Sequence, residues 1–115
     1  MAGVLKGDIY FIDFGLNTVP SREQEGFRPA LIVSSDLVNS KLPVITVAPI
    51  TTKIKDFTRG FSMILEAGNP LTLKSEVLLF QMRAFDKRKL IRKIGELDRF
   101  QHEELNFLIR AIFDT

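Results

Sequence analysis

The chain has 115 residues, 45% hydrophobic and with ten Phe, enough apolar mass for one core and too little length for a second domain, so a single domain over 1–115 is expected. Without Cys, neither disulfides nor thiolate metal sites can form, and a single His speaks against zinc, which draws on several His or Cys ligands. The net charge of +2 permits nucleic-acid binding without requiring it; no apolar run nears the ~18 residues of a membrane span, and residues 1–6 lack the apolar stretch of a signal peptide, so a soluble cytoplasmic protein is expected.

Residues 8–14 are rich in aromatic and β-branched side chains and read as a first strand. The polar stretch 17–26, with Pro20 and Gly26, reads as a long loop. A second strand covers 29–34 and is ended by Ser35 and Asp36. A third covers 44–50; Pro49 has no amide to donate, so this strand should stop there or run along an edge. Residues 52–60 are polar and read as flexible, 61–65 form a fourth strand, and Gly68-Asn69-Pro70 signals a turn. The longest apolar run, 77–85, predicts a central strand. A basic turn at 86–89 and a short strand at 90–94 follow.

Beyond that point the period changes. Leu105, Leu108, Ile109 and Ile112 recur at intervals of three and four, which is one face of a helix. Asp98, three residues before Gln101, gives a variant of the capping box at its start. Consecutive strands with short turns and one terminal helix predict an antiparallel, strongly curved sheet or small barrel rather than βαβ units. Phe100, Phe107 and Ala111 fall opposite the main apolar stripe. Either they are singly exposed, as apolar groups often are, or this second face meets a partner chain.

Chemistry concentrates at strand ends. Arg28 sits where a polar loop becomes a strand, and its permanent charge forks onto phosphate oxygens. Thr51 sits just past another strand's end, and strand ends on one rim of a barrel bring distant residues together. A cation beside a hydroxyl suits stabilisation of a phosphorane-like charge. The plainer alternative is a surface Arg in an ion pair and a Thr satisfying a turn.

Four motifs stand in order: Gly7-Asp8-Ile9-Tyr10, Glu23-Gln24-Glu25-Gly26-Phe27-Arg28-Pro29, Ile50-Thr51, and Gln81-Met82-Arg83-Ala84-Phe85-Asp86. Together, from about Lys6 to Phe113, they resemble the MazF/PemK-type toxins of the MazF/CcdB superfamily. The resemblance implies a mainly β fold, an SH3-like curved antiparallel barrel of six or seven strands with a C-terminal helix, forming a homodimer. It implies the toxin of a type II toxin–antitoxin system, a sequence-specific endoribonuclease (mRNA interferase) acting on single-stranded RNA without metal or other cofactor. There the ribose 2′-hydroxyl attacks the adjacent phosphorus, leaving a 2′,3′-cyclic phosphate and a 5′-hydroxyl.

By the same resemblance the catalytic Arg and Thr fall on Arg28 and Thr51, and a loop Glu falls on Glu23. RNA contacts are expected from Gln24, Phe27, Thr52, Lys53, Gln81 and Arg83, and a cognate antitoxin with a flexible acidic tail is an implied partner. Arg22 and Phe80 stand where many relatives carry Ser and Glu, which bears on the RNA sequence recognised more than on the chemistry.

Guanidinium, with a pKa above ~12, hardly releases a proton, so Arg28 is expected to stabilise charge, with possible donation to the leaving oxygen. Thr51 would orient and stabilise the phosphoryl oxygens. Glu23 is either a proton acceptor, an RNA contact or a solvated loop charge. His102, on the helix beside the apolar stripe, reads as a packing or surface residue rather than a catalytic one. The basic run Arg83, Lys87, Arg88, Lys89, Arg92 and Lys93 either tracks RNA, with steep salt dependence, or is a solvated turn offset by Glu96, Asp98, Glu103 and Glu104. Phe14, Phe27 and Phe57 are candidates for base stacking, with core packing favoured for Phe14. Two other readings stand beside the nuclease. A CcdB-like gyrase poison acts through a Trp-Gly-Ile terminus, whereas this chain has no Trp. The second is a catalytically silent SH3-like module binding RNA or protein.

Overall fold

The computed structural model describes residues 3–15, 26–54, 60–68 and 71–114. Its strands are β1 (Asp8–Asp13), β2 (Phe27–Ile32), β3 (Val44–Thr51), β4 (Met63–Leu65), β5 (Ser75–Val77), β6 (Arg83–Asp86) and β7 (Leu90–Glu96); its helices are α1 (Asp36–Lys41) and α2 (Arg99–Phe113). They form a 7-stranded sheet in the order β4-β5-β3-β2-β1-β7, with β6 also pairing with β3. Each of these pairings is antiparallel. The path β6-β3-β2-β1-β7 curls, because β6 and β7 are consecutive in the chain yet stand at its two edges. The result is a half-barrel with a terminal helix, as the order of periodicities suggests.

Side chains alternate across a strand, and here both faces are buried. One face carries Ile12, Ala30, Ile32, Ile45 and Val47 inside the curl, with Tyr10, Phe14, Phe85 and Leu90 against them. The other carries Ile9, Leu31, Ala48, Ile50 and Val77, covered by Leu105 and Leu108 of α2. Each fully buried aliphatic side chain contributes about 1.5–3 kcal/mol, which is why β2 and β3 read as nearly unbroken apolar runs.

The run 77–85 is not one central strand. Its start belongs to β5, it leaves the sheet in a single 3-10 turn over Leu79–Gln81, and it re-enters as β6. Both short strands lie along the same edge of the eight-residue β3: β6 takes Val44 to Val47 and β5 takes Ile50 and Thr51. The central position belongs to β3. Pro49 neither ends β3 nor lies at a free edge. It is buried opposite Ala30, and its carbonyl accepts the Leu78 amide at 2.9 Å. A residue's N and O point to the same neighbour in an antiparallel strand, so the missing donor faces the arch between β5 and β6, where no ladder bond is due.

Helix α1 goes beyond the strand-end reading of Ser35 and Asp36. The Ser35 hydroxyl accepts the Val38 amide at 3.2 Å, an N-cap, and buried Asn39 donates to the Ser34 carbonyl at 3.0 Å. At the far end Asp98 and Gln101 exchange two 2.8 Å bonds, so the capping box is complete. Gly7 has a φ of +92°, and a Cβ there would collide with the His102 ring, so the turn before β1 and the helix fit only because that position is glycine. Asp8 beside it is a buried carboxylate accepting the Leu5 amide at 2.9 Å, with Lys93 Nζ at 3.3 Å. The Gly-Asp pair thus locks the entry into β1 and ties it to β7.

Candidate active site

Registers decide what meets at the strand ends. Between β2 and β3, Ala30 faces Pro49 and Leu31 faces Ala48. Continued by two residues, this register sets Arg28 opposite Thr51. On the other side of β3, Thr51 faces Glu76. Arg28, Thr51 and Glu76 therefore form one row across three strands, at the end of the sheet where the long loop rejoins it.

Arg28 and Thr51 line the same concave pocket of about 340 Å³, with Phe27, Thr52 and Lys53 beside them. Phe11, Pro29, residues 71–73 and Ser75 complete its walls. Thr51 Oγ1 accepts the Lys53 amide at 3.1 Å, which fixes the hydroxyl and leaves its proton to be given elsewhere. Arg28 is held from below. Its guanidinium carbon lies 5.8 Å from the centre of the Phe14 ring. Phe14 meets Phe85 edge-on at 5.0 Å and 88°, and Arg83 lies 4.7 Å over Phe85. Two aromatic rings thus connect two guanidinium groups. Glu76 is 1% exposed and accepts a hydrogen bond from the Ser62 hydroxyl.

The expected RNA contacts divide. Phe27, Thr52 and Lys53 line the pocket. Gln81 ends the 3-10 turn and Arg83 opens β6; both are exposed and neither lines that pocket, although Arg83 reaches Arg28 through the two rings. Glu23, Gln24 and Phe57 lie outside the described residues. Phe14 is half-buried against the inner core, and His102 lies against Gly7 rather than in the pocket. Phe11, Leu71 and Glu76 escape the sequence reading. A period of two shows that Phe11 shares a face with Ile9, but not how far α2 covers that face.

The basic run is divided in the same way. Arg88 pairs with Asp86 at 3.0 Å, and Lys93 bridges Asp8 and Glu96. The hydrogen bonds from Arg88 hold the Asp86 carboxyl below its ordinary range, and the hydrogen bond from Lys93 does the same for Glu96. Arg83 and Arg92 instead lie over aromatic rings. Among the described residues, no group of three His, Asp or Glu side chains is placed to hold a metal ion, and no helix is long and apolar enough to cross a membrane.

Known structures share this architecture. The Mycobacterium tuberculosis toxin MazF-mt6 superposes with a TM-score of 0.74 at 27% identity, covering 93% of this chain and 96% of that one. MazF in a MazE–MazF crystal from Deinococcus radiodurans gives 0.78 over 100% and 99% of the two chains, at an identity of 20% that speaks for the fold alone. The class is thus a curled β half-barrel with a terminal helix, bearing an arginine and a threonine on one rim. The sequence goes further. Residues 5–113 match the model of the PemK-like, MazF-like toxins of type II toxin–antitoxin systems, and the chain belongs to that family. Endoribonuclease EndoA of Bacillus subtilis is 36% identical over 83% of this chain and 81% of its own. Endoribonuclease MazF of Staphylococcus saprophyticus is 33% identical over 88% and 83%.

Proposed function

We propose that this MazF-like endoribonuclease is a single-domain cytoplasmic toxin that cuts single-stranded RNA at a short sequence without a metal. The 2′-hydroxyl oxygen bonds to the adjacent phosphorus, the bond to the 5′ oxygen of the next nucleotide breaks, and the ends are a 2′,3′-cyclic phosphate and a 5′-hydroxyl. The observation that carries this reading is that Arg28 and Thr51 line one pocket.

A permanent cation does not serve as the base. Arg28 stabilises the charge that develops on the phosphoryl oxygens, and Thr51, whose lone pair is engaged by the Lys53 amide, donates a hydrogen bond to one of them. Preorganised donors of this kind cost no reorganisation as the charge forms. The loop residue Glu23 takes the 2′-hydroxyl proton, and the departing 5′ oxygen takes up a proton from water. Phe27, Thr52 and Lys53 hold the flanking nucleotide, with Gln24, Gln81 and Arg83 as further contacts. The active form is a homodimer, and the partner that silences it is an antitoxin whose flexible acidic tail lies along the basic rim. Relatives solved as an endoribonuclease with its cognate antitoxin and as MazE–MazF support that pairing.

The test is cleavage of a long RNA in EDTA, with the ends mapped. Wild type should give discrete fragments with 5′-hydroxyl ends. Arg28→Ala should lose about 100- to 1000-fold in rate, the usual cost of one preorganised charge donor, with its circular dichroism unchanged. Near-wild-type cutting by that variant would remove Arg28 from the mechanism, and intact RNA with wild type would leave a silent binding module.

A further inference from the structure

On its outer side the sheet is covered at Ile9 and Leu31 by the core that α2 seals. One pleat further on it is open. There Phe11 faces Pro29 on one side and Arg92 on the other, and the β2–β3 register carries the row on to Ile50, where the core closes over it again. Four residues on four strands thus lie in line, across three interstrand steps of ~4.8 Å, or about 14 Å in all. That exceeds the ~3.4 Å repeat of a stacked strand several-fold. Above this row runs a second cavity of about 470 Å³, lined by Phe11, Pro29, Leu71, Thr72, Arg92, Lys93 and Ile94. It shares Phe11, Pro29, Leu71 and Thr72 with the pocket that Arg28 and Thr51 line, so the two are one groove.

The far end of this groove has its own chemistry. The Arg92 guanidinium lies 5.1 Å over the Phe11 ring. Lys93 is occupied by Asp8 and Glu96, whereas among the described residues Arg92 has no carboxylate partner. No acidic side chain lines the cavity. A planar cation laid on an aromatic ring, beside an apolar wall and with its donor edge exposed, fits a nucleotide: the base stacks on the guanidinium plane and the phosphate takes the edge.

We infer that this end of the groove is a second nucleotide subsite, in which Phe11 and Arg92 hold a nucleotide flanking the cleaved linkage of single-stranded RNA. The inference rests on the proposed ribonuclease activity and extends it as far as Arg92, three interstrand steps or about 14 Å from the strand that carries Thr51. Removing one such stack weakens binding about five- to tenfold or more, and a lost phosphate contact flattens the salt slope of single-strand binding by about 0.7.

The experiment uses oligonucleotides centred on a cut mapped in a long RNA, in full length and trimmed one nucleotide at a time from each end. Arg92→Gln should raise KM about five- to tenfold on the longer RNA, leave kcat within twofold, and flatten the salt dependence. The difference from wild type should vanish once trimming removes the nucleotide concerned. Arg92→Lys should keep the salt slope while losing part of the affinity, because it retains charge without a stacking plane. An unchanged KM for Arg92→Gln overturns the subsite, as does an equal effect on every length or an effect confined to binding of the antitoxin tail. If wild type cuts RNA and Arg92→Gln matches it, the subsite alone falls; if wild type cuts no RNA, the ribonuclease reading falls and the subsite with it.

Discussion

Arg28, Phe14, Phe85 and Arg83 form a chain in which two edge-on rings join two guanidinium groups. An arginine on a strand end has several rotamers to choose from, and the proposed chemistry needs one of them. A cation–π contact is worth only about 0.5–1 kcal/mol at a partly exposed site, but that is enough to favour one rotamer severalfold. Phe14→Leu keeps most of the buried volume and removes the ring. It should therefore lower kcat by roughly two- to fivefold, by the rotamer population that contact governs, with KM nearly unchanged because Arg28 keeps its charge. A kcat equal to wild type in a folded Phe14→Leu protein would show that the ring does not position Arg28. That Arg28 and Thr51 would share one rim was legible in the sequence. Arg28 and Thr51 stand at changes from polar loop to apolar strand, and such boundaries mark barrel rims. Phe11 was not legible, because its environment depends on how much of β1 the helix covers.

Elements divide by whether their signals are local. The start of α2 is written in Asp98 and Gln101 and its buried face in Leu105 and Leu108, and all four act as their spacing suggests. The run 77–85 misleads because apolar content cannot reveal that one long strand, β3, is shared end to end by two short ones. A six-residue helix such as α1 is too short to show a period, and only its Ser35 cap marks it. The outward face of α2 carries Phe100 at 79% exposure and Phe107 at 70%, two turns apart. Two large apolar groups in line on one helix face go beyond singly exposed side chains, and the proposed homodimer gives them a use. Phe107→Glu places a charge in that patch and should halve the mass measured by light scattering at micromolar concentration. A variant that keeps the wild-type mass would exclude this face from the interface.

Closure of the curl depends on holding β7 against β1, and charge contributes to that in a definite pH window. Lys93 of β7 reaches the buried Asp8 of β1 at 3.3 Å and Glu96 at 2.9 Å. Its hydrogen bond to Glu96, and then that to Asp8, raise its pKa above the ordinary 10.5 against the opposing effect of burial. The bond from Lys93 lowers Glu96 below the ordinary 4.5, and Arg88 likewise lowers Asp86 below 3.8 at the turn between β6 and β7. A raised lysine stabilises the fold below its unfolded pKa, and that share is lost as pH climbs through the folded value above 10.5. The lowered carboxylates stabilise above their unfolded values, and theirs is lost as pH falls through folded values below 4.5 and 3.8. The contribution is therefore complete from about pH 5 to 10 and declines on both sides; solvent screening keeps it small at these exposed groups. Lys93→Gln should lower Tm at pH 7, and the gap from wild type should narrow as acid protonates Glu96. Thermal melts of both proteins from pH 3 to 8 measure this, and a gap of constant size across that range would mean that Lys93 supports the strand by packing of its stem rather than by charge.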